Sequence, residues 1–396
     1  MNKIKKDELK IIAQRMPFYS SMRSIYRAVN HLLNPSEKYT MEKEHQLINE
    51  APPITMHWPA DILKPTVGLV REYGNELNNY MYWTKYERFL THNQIPHVYL
   101  EIHFSNFLEQ AEPCDVIIWR TLNDPADQWE AETKIRILER EMGKLCLPSM
   151  EELWFYEDKI RQYYLMRHHG LPVVDTFISH SQEETMAYIR QCNYPLVSKI
   201  NTGAGSMGVK LVKNYREAQK ICREVFDDGH HTYWPYLKQK NYVYFQKFIE
   251  DAAYDLRVIG TGNSFLGYYR NTPKHDFRAS GFGTELVEKK AIPEEALMLA
   301  KKVKETLPPT RILAVDMLYN PRDNQYSIIE TSIFIAVYTP VQLMVNNVPG
   351  RYVFNNGDFH FEAGKFWLQE LALVELFNEW IAGTGEHPAK SRLPGT

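Results

Sequence analysis

The chain has 396 residues, a length that suits two or three lobes rather than one core. It is 44% hydrophobic and 24% charged with a net charge of -3, the composition of a folded globular protein with no broad attraction for nucleic acid. No apolar run of about 18 residues occurs, so no transmembrane helix is predicted. Residues 1–16 carry Lys3, Lys5, Lys6 and Lys10 without the apolar stretch that a secretory signal needs.

Residues 1–50 read as polar helix, with Ile4, Leu9, Ile12 and Met16 approximating one apolar stripe. Ala51-Pro52-Pro53 reads as a linker. Strand-like runs follow at 66–70, 97–102 and 115–120, with helical stretches at 76–92 and 126–142. Strand, helix, strand in this order predicts a small parallel α/β lobe. A helix over 158–169 ends at Gly170 and Pro172, a normal stop signal. Strands and helices alternate to about 345, an amphipathic helix is expected over 361–381, and a Gly/Pro-rich tail closes the sequence. The domains expected are 1–60, a helical extension; 61–150, an α/β lobe; 151–345, the main domain; and 346–396, a helix and flexible tail. The helix at 361–381 could serve a homodimer.

Cys114, Cys146, Cys192 and Cys222 form no CxxC pair and read as thiols in a reducing cytoplasm. His168-His169 and His230-His231 are adjacent pairs whose side chains diverge, so neither is a natural chelate. The 25 tyrosines and 8 tryptophans are read first as core, and second as walls of a wide cleft.

The most informative stretch is 194–212, which reads as strand, flexible loop and strand. Gly203, Gly205 and Gly208, with Ser206 between them, free the backbone to turn its N–H groups toward an anion. Lys199 stands just before the loop, within reach of the same anion. A Walker loop has its lysine after the glycines and opens a helix, as does a Rossmann turn; this stretch does neither. Alone it is equally a structural hairpin. Downstream, a strand over 311–319 with Asp316 at its centre turns at 320–325 into a strand over 326–332 with Glu330 near its end. Asp316 and Glu330 face each other across that hairpin. Carboxylates inside apolar strands need positive neighbours, either Mg²⁺ bridging phosphates or arginines.

Lysine strand, glycine loop and acid hairpin, in this order, resemble the ATP-grasp superfamily, and among it the RimK-type amino-acid ligases, from about 115 to 340. The resemblance implies an ATP-grasp fold of α/β (α+β) class, a small parallel N-terminal lobe, and a nucleotide held between two subdomains. Lys159, forty residues before Lys199, resembles the family's other phosphate lysine. Gln246, Lys247, Phe248 and Ile249 resemble the hinge whose backbone reads adenine, and Asp255 the acid that meets the nucleotide. Arg278, within Asp276-Phe277-Arg278-Ala279-Ser280, resembles an arginine that stabilises phosphate charge. Arg257 and Arg270 are implied on the acceptor side, and Arg120 faces the substrate carboxylate. The family's metal motif is Glu-x-Asn; here it is Glu330-Thr331-Ser332, so the metal set is Asp316, Glu330 and Ser332 with a shorter third ligand.

The resemblance implies an ADP-forming ligase of carboxylate and amine, acting through an acyl phosphate with ATP and Mg²⁺ (Mn²⁺ in its place). Its carboxylate belongs to a small molecule, peptide or glycan. A kinase-like phosphotransferase and a non-catalytic ATP-binding scaffold are the alternatives.

Overall fold

The computed structural model describes residues 41–71, 81–203, 205–252, 254–272, 278 and 286–383. The stripe expected at residues 4–16, most of the loop 276–280 and the tail lie outside them. In chain order the elements begin with α1 (Met41–Ile48), β1 (Val67–Leu69), α2 (Tyr82–His92), β2 (His97–Tyr99), α3 (Phe107–Ala111), β3 (Val116–Ile118), α4 (Pro125–Arg140), β4 (Leu145–Leu147) and α5 (Met150–Phe155). The four strands form a parallel sheet in the order β2-β1-β3-β4. Its centre is apolar: β1 and β3 are buried throughout, as parallel strands covered on both faces must be. Pro125 opens α4 behind the cap Asp124, and Ser149 with Glu152 makes a reciprocal capping box on α5.

Next come α6 (Lys159–His168), β5 (Thr176–Ser179), α7 (Gln182–Gln191), β6 (Leu196–Ser198), β7 (Lys210–Val212), α8 (Tyr215–Phe226), β8 (His230–His231), β9 (Lys238–Gln239) and β10 (Val243–Lys247). α6 stops where its sequence says it should: Gly170 takes φ +67°, and the Leu171 N–H returns to the Met166 carbonyl at 3.0 Å. The antiparallel sheet β5-β10-β6-β7, with α7 and α8, has a small core of its own around Ile189, Cys222 and Phe245.

The remaining elements are β11 (Tyr254–Thr261), β12 (Ser264–Asn271), β13 (Leu286–Glu288), α9 (Glu294–Thr306), β14 (Leu313–Asn320), β15 (Gln325–Ser332), β16 (Met344–Val345), β17 (Val348–Asn355), β18 (Asp358–Ala363) and α10 (Leu368–Gly383). They build the large sheet β15-β14-β11-β12-β17-β16, with β13 and β18 at its margins. One continuous apolar core runs from the parallel lobe through this sheet to α10.

Two expectations at the C-terminal side change. The helix expected from 361 starts at Leu368, because residues 358–363 pair with β17 as a strand and Gly364 breaks the chain direction with φ +159°. The large sheet also continues beyond 345, since β17 pairs with β12 through Ser264–Val353 and Phe265–Tyr352. Among the described residues no helix is long and apolar enough to cross a membrane.

Candidate functional site

The loop expected after Lys199 is a hairpin: Ser198 stands opposite Lys210, and β6 and β7 pair on either side of it. Its turns need the backbone freedom that the glycines supply. Gly208 takes φ +73°, and a Cβ there would meet Ile200 at 2.6 Å. The loop is tied to the start of α6. The Lys159 N–H donates to the Asn201 carbonyl at 3.2 Å, the Ile160 N–H to Asn201 Oδ1 at 2.9 Å, and Lys159 Nζ to the Gly203 carbonyl at 2.6 Å. Sequence distance thus closes to contact distance between the two lysine segments.

One turn along α6, Gln162 donates to the Thr331 carbonyl at 2.9 Å and accepts from the Thr331 N–H at 3.0 Å. This clamp sets the end of β15 beside α6 and brings Lys159 Nζ to 3.6 Å from Glu330 Oε2. Gln162 carried no sequence signal, because a buried glutamine that grips backbone resembles any polar helix residue.

Lys199 lies at the end of β6, 7% exposed, its N–H on the Tyr244 carbonyl. Burial draws its pKa down to about 8, against the pull of Glu330 and with the push of Lys159.

On the large sheet, Arg257, Asp316 and Glu330 stand in one cross-strand row on β11, β14 and β15. Two residues on, Asp255 stands opposite Arg270. The row is heavily paired. Arg257 donates to both oxygens of Asp316, at 2.7 and 2.6 Å, while Arg270 reaches Asp316 Oδ2 at 2.8 Å and Asp255 Oδ1 at 2.5 Å. Burial works to raise the Asp316 pKa, but the two guanidiniums outweigh it and hold the carboxyl well below its usual range. Asp255 goes the other way: burial and the neighbouring Asp316 push it up to about 6, against Arg270.

β15 has an irregularity here. Asp316 faces Glu330 while Met317 faces Ile328, so Ile329 is an extra residue in the ladder. Strict alternation would send neighbours to opposite faces. With the bulge, both Ile329 and Glu330 line the cleft.

That cleft lies between the two sheets. Val197, Val209, Phe248, Leu318 and Ile329 give it apolar walls. Gln246, Lys247, Phe248 and Ile249, the stretch expected as the hinge, line it, as do Lys159, Lys199, Gly203, Ser206, Asp255, Arg270, Arg278, Asp316 and Glu330. Gly205, Gly208, Arg257 and Ser332 do not line it. Arg257 sits behind Asp316, and the Ser332 hydroxyl donates to the Phe334 carbonyl at 2.7 Å. Arg120 stands apart, its guanidinium 5.0 Å from the centre of the Tyr82 ring, its buried Nε without a hydrogen-bond partner.

Glu157 went unnoticed in the sequence. Two residues before Lys159 it takes φ +55°, and its carboxylate accepts from the Gly203 N–H. Burial and the neighbouring Glu330 raise its pKa, against Lys159.

The cleft suits a nucleoside triphosphate, with apolar side chains for a base and two lysines for phosphates, while the Gly203 N–H is taken by Glu157 and the Lys247 N–H by the Asp175 carbonyl. Its free donors suit a hard cation, being carboxylate oxygens. Among the described residues no three His, Cys, Asp or Glu side chains gather as a metal cage, so phosphate oxygens would complete the coordination, as Mg²⁺ prefers.

Comparison with known proteins agrees. Residues 156–335 match the family model described as RimK-like ATP-grasp domain. A glutamate–LysW ligase of Sulfurisphaera tokodaii is 28% identical over 124 residues, 31% of this chain and 42% of that protein. An α-aminoadipate–LysW ligase of Saccharolobus solfataricus is 25% identical over 232 residues, 57% of this chain and 71% of that protein. The chain spans less than half the length of the glutamate–LysW ligases it matches, 42% and 47%. The ADP complex of an N5-carboxyaminoimidazole ribonucleotide synthetase shares the fold, with a TM-score of 0.50 and 13% identity over 80% of this chain and 98% of that one. Residues 156–335 thus match the RimK-like ATP-grasp domain, and the chain shares its fold with that synthetase.

Proposed function

We propose that the protein is an ATP-dependent ligase that joins a carboxylate to an amine and releases ADP. The observation that carries this reading is one cleft whose walls combine apolar side chains such as Val197, Phe248 and Ile329 with Lys159, Lys199, Asp316 and Glu330. The relatives named for joining glutamate or α-aminoadipate to LysW support an amino acid as one partner and a protein or peptide as the other.

The chemistry is charge management. A substrate carboxylate oxygen attacks the γ-phosphorus, the bond to ADP breaks, and an acyl phosphate results. The amine then attacks the acyl carbon; the C–N bond forms, phosphate leaves, and the amine loses a proton. Lys159 and Lys199 neutralise the phosphates at fixed positions, so little reorganisation accompanies transfer. Arg278, which lines the cleft, offers a planar fork to the transferred phosphoryl. Arg257 and Arg270 hold Asp316 anionic and in place. Arg120 stands outside this cleft, beside Tyr82, so its part is limited to drawing the substrate carboxylate toward it. Mg²⁺, or Mn²⁺, adds charge neutralisation across the terminal phosphates when bound.

The test is ADP release with ATP and Mg²⁺ across pooled amino acids, carboxylic acids and acidic peptides, with mass spectrometry of products. An amide whose formation depends on ATP is expected, and Lys199→Ala and Glu330→Gln should reduce it at least ~100-fold. A phosphoester product, or no ADP release from any pool, overturns the reading.

A further inference from the structure

Two carboxylates and a serine form the metal set that the sequence suggests, and the structure treats them differently. Asp316 already takes three guanidinium N–H bonds on its two oxygens, and it is 2% exposed. Its charge is answered by two arginines whose own burial keeps them there: Arg270 is 4% exposed. A cation arriving at Asp316 would stand against two fixed positive charges. Ser332 spends its proton on the Phe334 carbonyl and does not line the cleft. Glu330 differs from both. Its side chain is 30% exposed, it lines the cleft, and its one ion pair among the described residues, with Lys159, is long at 3.6 Å. Oε1 has no hydrogen-bond partner among the described residues.

We propose that, with nucleotide bound, the site holds one divalent cation rather than two, and that Glu330 is its only side-chain ligand. The inference rests on the ATP reading above. Asp316 serves instead as the anchor of Arg257 and Arg270. The charge of Arg270, which lines the cleft and is placed by the anchor, does beside the phosphates what a second cation would otherwise do. The cation's other positions fall to phosphate oxygens and water, a set that Mg²⁺ accepts readily.

The experiment counts Mn²⁺ by electron paramagnetic resonance on the full chain saturated with a non-hydrolysable ATP analogue. One Mn²⁺ per nucleotide-bound chain is expected. Glu330→Gln should weaken Mn²⁺ binding to the complex at least ~tenfold, and Ser332→Ala should leave it unchanged. Two Mn²⁺ per complex overturn the inference while the ATP reading stands, and so does a loss in Ser332→Ala equal to that in Glu330→Gln. Failure of the wild-type chain to bind the analogue at all removes the ATP reading, and this inference with it.

Discussion

Lys199 is the residue whose environment has the clearest consequence in solution. Its pKa near 8 belongs to a fully buried ammonium that waits for an anion. A bound nucleotide favours the charged form, so the complex has the higher pKa. Below pH 8 the free protein already carries the proton, and ADP affinity should be flat with pH. Above it, binding must take up a proton, and affinity should fall by up to about tenfold per pH unit. Calorimetric titration from pH 6.5 to 9.5 measures this, and Lys199→Gln should remove the slope. Lys199 and Asp316 were legible in the sequence because a charge inside an apolar strand is conspicuous. Glu157 and Gln162 were not. Their importance comes from the loop and strand they grip, 46 and 169 positions away.

Among the elements, β15 departs furthest from what alternation predicts. Counting by twos from the buried Tyr326 and Ile328 sends Glu330 into the core; the extra residue Ile329 reverses the count. The sequence reading set Asp316 and Glu330 across the hairpin from each other, and the ladder has that register only through the bulge: the pairs from Asn320–Gln325 to Met317–Ile328 would by symmetry put Ile329 opposite Asp316. It missed the bulge because Ile328-Ile329 reads as an ordinary apolar run. Deleting Ile329 should restore a regular ladder and leave Glu330 facing Asp316, while one wall of the base pocket disappears. ADP should then bind more weakly by about tenfold, with inorganic triphosphate little affected. Equal losses for both ligands would show that the bulge sets Glu330 rather than the wall. At 361–363 an apolar spacing that fits a helix belongs to strand, because pairing with β17 overrides local pattern.

At the scale of the whole molecule, the parallel lobe, the large sheet and α10 share one core, while the small sheet with α7 and α8 has a separate one. The nucleotide cleft lies along that division. Hydrogen exchange should find the small sheet the less protected of the two without ligand, with protection gained on ADP addition chiefly there and in the glycine loop. The large body depends on long-range pairs such as Arg88 with Glu370: Nε reaches Oε1 at 2.6 Å, and Oε2 accepts the Ile54 N–H at 3.1 Å. Glu370→Ala leaves both donors wanting and should cost roughly 3 kcal/mol, read as a lowered denaturant midpoint. The parallel lobe and the acid hairpin were legible because periodicity and turn residues are local signals. The joining of β17 to β12 was not, being a match between strands some ninety residues apart.

That last pairing bears on how the chain is made. Until residues near 353 have left the ribosome, Ser264 and Phe265 of β12 are paired on one side only, by β11, and the sheet waits with an open edge there. A nascent chain paused between 271 and 348 is therefore the species most exposed to wrong partners, and the one a chaperone would meet most often.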